Sequence, residues 1–188
     1  MHTLPDMKST NIDTQLHVDK DVIKHLNELI QLDFDAAHTY EQALEHVDDE
    51  AAREDLESFR ADHERHIIEL TRVVEDLGGE VEEVTRDIKG VLLEGMTKLR
   101  SVTGTLGALR AMRMNEKLTN KTYDKAVRMD LPPLALEVVT RGLEDERRHL
   151  AAIENHIDRC AAEDQYVEVP DSYPPNSTRT STIEKRSH

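Results

Sequence analysis

The stretch Asp145-Glu146-Arg147-Arg148-His149 decides the fold once it is set beside Asp62-His63-Glu64-Arg65-His66. The two lie 83 positions apart, and the same offset carries Asp33 onto Glu116 and Tyr40 onto Tyr123. An acid, a tyrosine, an aspartate and a histidine therefore recur in one order without a gap. Self-similarity at a fixed offset marks a repeated structural unit. Two copies point to a duplicated helical hairpin rather than a solenoid.

Working outward, each member of the repeat falls on a stripe of helical period. Leu26, Leu29, Ile30, Asp33, Ala37, Tyr40, Leu44 and Val47 make the first stripe, starting from Asp19. The second helix is predicted over about residues 50–77, with Leu56, Phe59, His63, His66, Ile67, Leu70, Val74 and Leu77, and Gly78-Gly79 ends it. The third starts near Gly104 to Gly107 and carries Leu109, Met112, Glu116, Thr119, Asn120, Tyr123 and Val127. Leu131-Pro132-Pro133 breaks the chain. The fourth follows with Leu136, Val139, Leu143, Glu146, His149, Leu150, Ile153, Ile157 and Cys160. The connection, residues 78–103, is too long for a hairpin turn and includes an amphipathic piece over 88–99. A crossover of that length lets the third helix start at the same end as the first. Met112, Met114 and Met129 read as packing residues.

The pattern predicts an all-α four-helix bundle over residues 19–163, two antiparallel hairpins joined by a long crossover. A flexible arm over 1–18 precedes it, and a disordered tail over 164–188, rich in Pro, Ser and Thr, follows. A length of 188 residues suits one such domain.

A formal net charge of −15 argues against nucleic acid or an anionic membrane as partner. No apolar run of membrane-spanning length and no signal peptide is visible. A single cysteine, Cys160, makes no internal disulfide, which suits a reducing, cytoplasmic setting. A homodimer is the default assembly.

The inner stripes carry Asp33, His63, His66, Glu116, Glu146 and His149 where apolar residues belong. An unpartnered buried carboxylate costs several kcal/mol or is driven neutral. Six such groups must therefore neutralise one another or bind cations. Asp33 to His66 and Glu116 to His149 are both 33-residue separations, which puts the pairs at equal depth in their hairpins. His63 and His66, like Glu146 and His149, are three apart and share a helix face. The set is read as the metal ligands of one layer. Singly, Asp62 and Asp145 look like solvated helix faces; as a matched pair they read as carboxylates orienting metal-bound histidines. Tyr40 and Tyr123, each seven residues after its helix's acid, are either core residues or donors to the ligands. Arg65 and Arg148 fall on the outer face, beside acids. A second reading remains open: a polar layer with no stable metal that sets register in a non-enzymatic structural or stress-associated bundle.

These residues resemble the ferritin-like superfamily, rubrerythrins and bacterioferritins among them. There an acid with a tyrosine seven later marks the first and third helices, and Asp-Glu-x-x-His marks the second and fourth. Asp145-Glu146-Arg147-Arg148-His149 matches in full, Glu116 with Tyr123 matches, and Asp33 with Tyr40 matches with a shorter acid. Asp62-His63-Glu64-Arg65-His66 departs, with His63 at the place of a bridging glutamate. Leu131-Pro132-Pro133 and the Gly-Gly turn resemble a bacterial group of unassigned function, the domain of unknown function DUF2383. The resemblance implies a di-iron or di-manganese carboxylate centre, zinc being also compatible. Asp33 and Glu116 would be end-on ligands, Glu146 a bridge, and His66 and His149 one nitrogen for each ion. His63 leaves three carboxylates against two divalent ions, so an asymmetric pair or a single ion beside Glu116, Glu146 and His149 is an open alternative. The implied function is redox, oxidative-stress or iron-handling chemistry with oxygen or peroxide as partner. Whether the protein is an enzyme stays open.

Overall fold

The computed structural model describes residues 7–85 and 103–167. Four helices follow in order: α1 (Met7–Leu44), α2 (Glu50–Asp76), α3 (Gly104–Ala126) and α4 (Pro133–Val167). α1 pairs with α2 and α3 with α4, and the two hairpins meet through α1 on α3 and α2 on α4. α1 begins ahead of the expected Asp19, so residues 7–18 are helical although they carry no apolar period. α4 likewise runs past residue 163 to Val167. The amphipathic piece at 88–99 and the tail at 168–188 lie outside the described residues.

Local chemistry sets the helix ends. Asp49 caps α2 by accepting from Ala52 N–H at 2.8 Å, and Arg159 of α4 donates to both of its carboxylate oxygens. Arg53 donates to the Leu44 and Val47 carbonyls left over at the end of α1. At the far end of α2, Gly78 N–H donates to Glu75 O and Gly79 N–H to Val74 O. That is the Schellman closure, and Gly78, at φ 72°, supplies the left-handed residue it needs. The chain then runs along α1. Asn27 donates to Glu80 O and accepts from Glu82 N–H, and Gln31 does the same with Thr85 O and N–H.

The direction of α3 differs from the expectation. Tyr40 of α1 reaches Glu116 of α3, and Asp33 of α1 reaches Tyr123 of α3. Ascending α1 therefore means descending α3. Thr105, in the first turn of α3, accepts from the N–H groups of Asp48 and Asp49 in the α1–α2 loop. α3 thus starts where α2 starts, not where α1 starts. A 27-residue α2 is about 40 Å long at about 1.5 Å per residue. The long connection makes that full return, which a short loop could not.

The core is two apolar clusters, not one. Leu26, Ile30, Leu70, Val74, Val139 and Leu143 belong to the first. Leu56, Phe59, Leu109, Met112 and Ile153 belong to the second. Between them lies the layer of Asp33, His63, His66, Glu116, Glu146 and His149, every one buried. Some positions differ: Ala36 and Ala135 are buried, the stripe residue Leu136 is exposed, and Met114, expected to pack, is exposed too. No helix among the described residues is long and apolar enough to cross a membrane.

Candidate metal centre

Each helix brings part of one constellation to mid-bundle: Asp33 and Tyr40 from α1, His63 and His66 from α2, Glu116 and Tyr123 from α3, Glu146 and His149 from α4. Two sets of ligand atoms lie within 4.8 Å of one another: Asp33, His63, His66 and Glu146, and His63, Glu116, Glu146 and His149. All six residues singled out on the stripes converge, and His63 and Glu146 are common to both sets.

Partners are exchanged between hairpins. Tyr40 donates to Glu116 Oε1 and Tyr123 to Asp33 Oδ2, both at 2.6 Å. The tyrosines thus serve the acid of the opposite hairpin rather than their own. His66 Nε2 donates to Asp145 Oδ2 at 3.2 Å and His149 Nε2 to Asp62 Oδ2 at 3.1 Å. Each aspartate fixes the histidine of the facing helix and leaves that ring's Nδ1 aimed inward. Arg65 bridges Asp62 and Asp145, at 2.7 Å to each, and Arg148 donates to the same two carboxylates. A ring of two acids and two arginines thus covers the histidines on the α2–α4 side.

The layer's electrostatics follow from burial. Burial raises the Asp33 carboxyl, but hydrogen bonds and positive charge from His63 and His66 outweigh it and hold Asp33 below its usual value. Burial drives Glu146 well up; His63 opposes this, while Glu116 and Asp33 add to it. Burial disfavours a charged His63, yet the negative field of Glu146 and the contacts with Asp33 and Glu116 raise it well above 6.5. Burial lowers His149 to about 4, against the pull of Glu116. Burial and the adjacent Glu116 raise the Tyr40 hydroxyl, and burial and Asp33 raise that of Tyr123, so both stay protonated donors. Desolvation of Asp62 and Asp145 is outweighed by the arginines and histidines, which keep both ionised.

The decisive geometric fact is what remains unmatched. Among the described residues, His63 Nε2, His66 Nδ1, Glu116 Oε2, both Glu146 oxygens and His149 Nδ1 are buried and find no hydrogen-bond partner. Buried polar atoms are nearly always satisfied, and each exception costs about 1–3 kcal/mol or more. Six together, all imidazole or carboxylate and divided over the two overlapping sets, make donors fit for divalent ions.

Asn120 and Phe59 were placed on the inner stripes without a role at the site, and Gly142 was passed over. Asn120 donates to the backbone carbonyls of both Glu116 and Glu146, at 2.8 and 2.7 Å, tying α3 to α4 beside the ligands. Phe59 stacks on the His149 ring at 4.3 Å between centroids. Gly142 lies under Tyr123: a Cβ there would come 2.4 Å from Cε1 of the ring. A lone glycine inside a helical pattern is the signal that could have found it.

A family model described as "Domain of unknown function (DUF2383)" matches residues 21–129. The chain belongs to this family. The DUF2383 match runs from within α1 to just past α3, so Glu146 and His149 lie beyond it. No curated protein matches the chain. Among solved structures, a two-domain protein from Anabaena variabilis with DJ-1/ThiJ/PfpI-like and ferritin-like domains aligns at TM-score 0.61 and 14% identity. The alignment covers 85% of this chain, which spans only 41% of that protein. A ferritin-like, diiron-carboxylate protein from Bacillus anthracis aligns at TM-score 0.50 and 20% identity, over 78% of this chain and 97% of that one. At these identities the likeness establishes the ferritin-like fold.

Proposed function

We propose that this DUF2383 protein binds iron or manganese in its central polar layer and uses the centre in redox or iron-handling chemistry, with oxygen or peroxide as the oxidant. The observation that carries the reading is the convergence of six buried, unpartnered imidazole and carboxylate atoms. A layer built only to set register would have its polar atoms satisfied internally. The diiron-carboxylate description of the Bacillus anthracis neighbour supports the choice of metal.

In this reading the protein's groups have separate tasks. Glu116, Glu146, His63, His66 and His149 hold the ions. Asp62 and Asp145 keep the His149 and His66 rings in the tautomer whose Nδ1 lone pair faces inward. Tyr40 and Tyr123 each occupy one oxygen of their carboxylates, which aims the other. The Arg65–Arg148 ring keeps Asp62 and Asp145 charged. A redox-active ion held there would supply electrons to the oxidant.

The test is a thermal melt of metal-free protein with and without anaerobic ferrous iron. A ligand at about 100 times its Kd adds about 2.7 kcal/mol, which raises the midpoint by roughly 5–10 °C for a chain of this size. Glu146→Ala should abolish the rise. An unchanged midpoint in the wild type refutes the proposal.

A further inference from the structure

The two halves of the centre are related by the sequence repeat, but their open ligand atoms are not equally shared. Beside α3 and α4, Glu116 Oε2, His149 Nδ1 and both Glu146 oxygens are unpartnered, and His63 Nε2 faces the same side. His63 Nε2 is 3.8 Å from Glu116 Oε1, and His149 Nδ1 is 3.8 Å from Glu116 Oε2. Two atoms each about 2.1 Å from one ion can stand up to about 4.2 Å apart, so one ion can span these gaps. Beside α1 and α2 the situation is different. Asp33 Oδ2 already accepts from Tyr123, and Oδ1 accepts from His63 Nδ1 at 2.8 Å. Among the described residues, that side has His66 Nδ1 open, 3.5 Å from Asp33 Oδ1 and 3.6 Å from Oε1 of the shared Glu146.

The His63–Asp33 contact has the form of the two contacts outside the layer. In each, a carboxylate holds one ring nitrogen and the other faces the centre: Asp62 with His149, Asp145 with His66, Asp33 with His63. That form is the usual arrangement of a carboxylate orienting a metal-bound histidine.

Resting on the metal-binding reading above, we propose that the centre is asymmetric. His63 Nε2, Glu116, Glu146 and His149 form a tight single-ion site, and Asp33 is the positioning residue for His63 rather than a ligand of that ion. The mirror position beside His66 takes a second ion only when the His63–Asp33 hydrogen bond is broken. Charge favours the same order. One divalent ion balances Glu116 and Glu146, and Asp33 keeps the two hydrogen bonds it accepts from Tyr123 and His63. Two ions would set four positive charges against three carboxylates.

The experiment is anaerobic titration of metal-free protein with Mn(II), followed by spin resonance and by metal analysis after gel filtration. Wild-type protein should retain one ion per chain with the hyperfine pattern of an isolated Mn(II), and a second should bind at least about tenfold more weakly. His149→Ala should lose the ion, with affinity falling by more than about 100-fold, beyond the roughly 10–100-fold for losing an orienting partner. His66→Ala should keep the ion. His63→Glu should retain two ions with an exchange-coupled spectrum. Two equally tight, coupled ions in the wild type, or equal losses in the His66 and His149 variants, would overturn the asymmetry and leave the metal reading standing. No bound ion in the wild type would overturn both. The wild-type titration decides even if a variant fails to fold.

Discussion

Replacing Tyr40 by phenylalanine deletes one oxygen from the centre of the bundle and nothing else. That oxygen donates to Glu116 Oε1 at 2.6 Å, and both side chains are fully buried, so no water takes its place. Among the described residues, Glu116 Oε2 already finds no hydrogen-bond partner. The substitution therefore strips the carboxylate of its one side-chain donor. A hydrogen bond to a charged group is worth about 1.5–3 kcal/mol, and the loss should fall in that range. Tyr123→Phe removes the equivalent bond to Asp33 Oδ2, but Asp33 keeps its contact with His63. Its loss should lie at the lower end of the range. The assay is urea unfolding of metal-free protein at neutral pH, with a thermal melt alongside, in which the midpoint is expected to fall by roughly 3–12 °C for Tyr40→Phe. A loss below about 0.5 kcal/mol for both variants, the size typical of a surface change, would refute the account of the layer as buried charge held by tyrosine donors.

Gly142→Ala should destabilise by about 1–3 kcal/mol in denaturant unfolding, because the new methyl meets the Tyr123 ring. At an open helical site the same change would stabilise by about 1 kcal/mol, and that outcome would contradict the packing described. His149 gives a pH dependence of defined sign. Its value falls from 6.5 in the unfolded chain to about 4 in the folded one, chiefly through burial. The unfolded state binds the extra proton, so this contribution is complete above 6.5 and is lost as pH falls through about 4. It amounts to about 3 kcal/mol. In metal-free protein, His149→Asn should flatten the fall in unfolding free energy between pH 7 and 4 by that amount. A curve parallel to the wild type would contradict it.

Much of the layer was legible in the chain, for a physical reason. An acid or a histidine on an apolar stripe is costly, so its recurrence at a fixed offset identifies the layer without coordinates. The offset also paired Asp62 with Asp145 and Tyr40 with Tyr123, and each pair occupies equivalent places. The direction of α3 was not legible, because spacing within a hairpin is the same whichever way the second hairpin docks. Contacts between hairpins determine it: Tyr40 with Glu116, Asp33 with Tyr123, and Thr105 with the α1–α2 loop. The start of α1 at Met7 was hidden by a stretch with no apolar period. Sequence exposed the oddity of His63 but not its choice of Asp33 as partner, which depends on ring orientation. Gly142 was passed over because its purpose lies on another helix, beneath the Tyr123 ring.

The central claim is that the unpartnered atoms of the layer are metal ligands. Crystals grown from protein loaded anaerobically with Mn(II), with anomalous scattering recorded across the manganese edge, test it most directly. The account predicts an anomalous peak inside the bundle, in contact with Glu116, Glu146 and His149. Peaks confined to surface carboxylates, with those three side chains hydrogen-bonded to one another or to water, would contradict it.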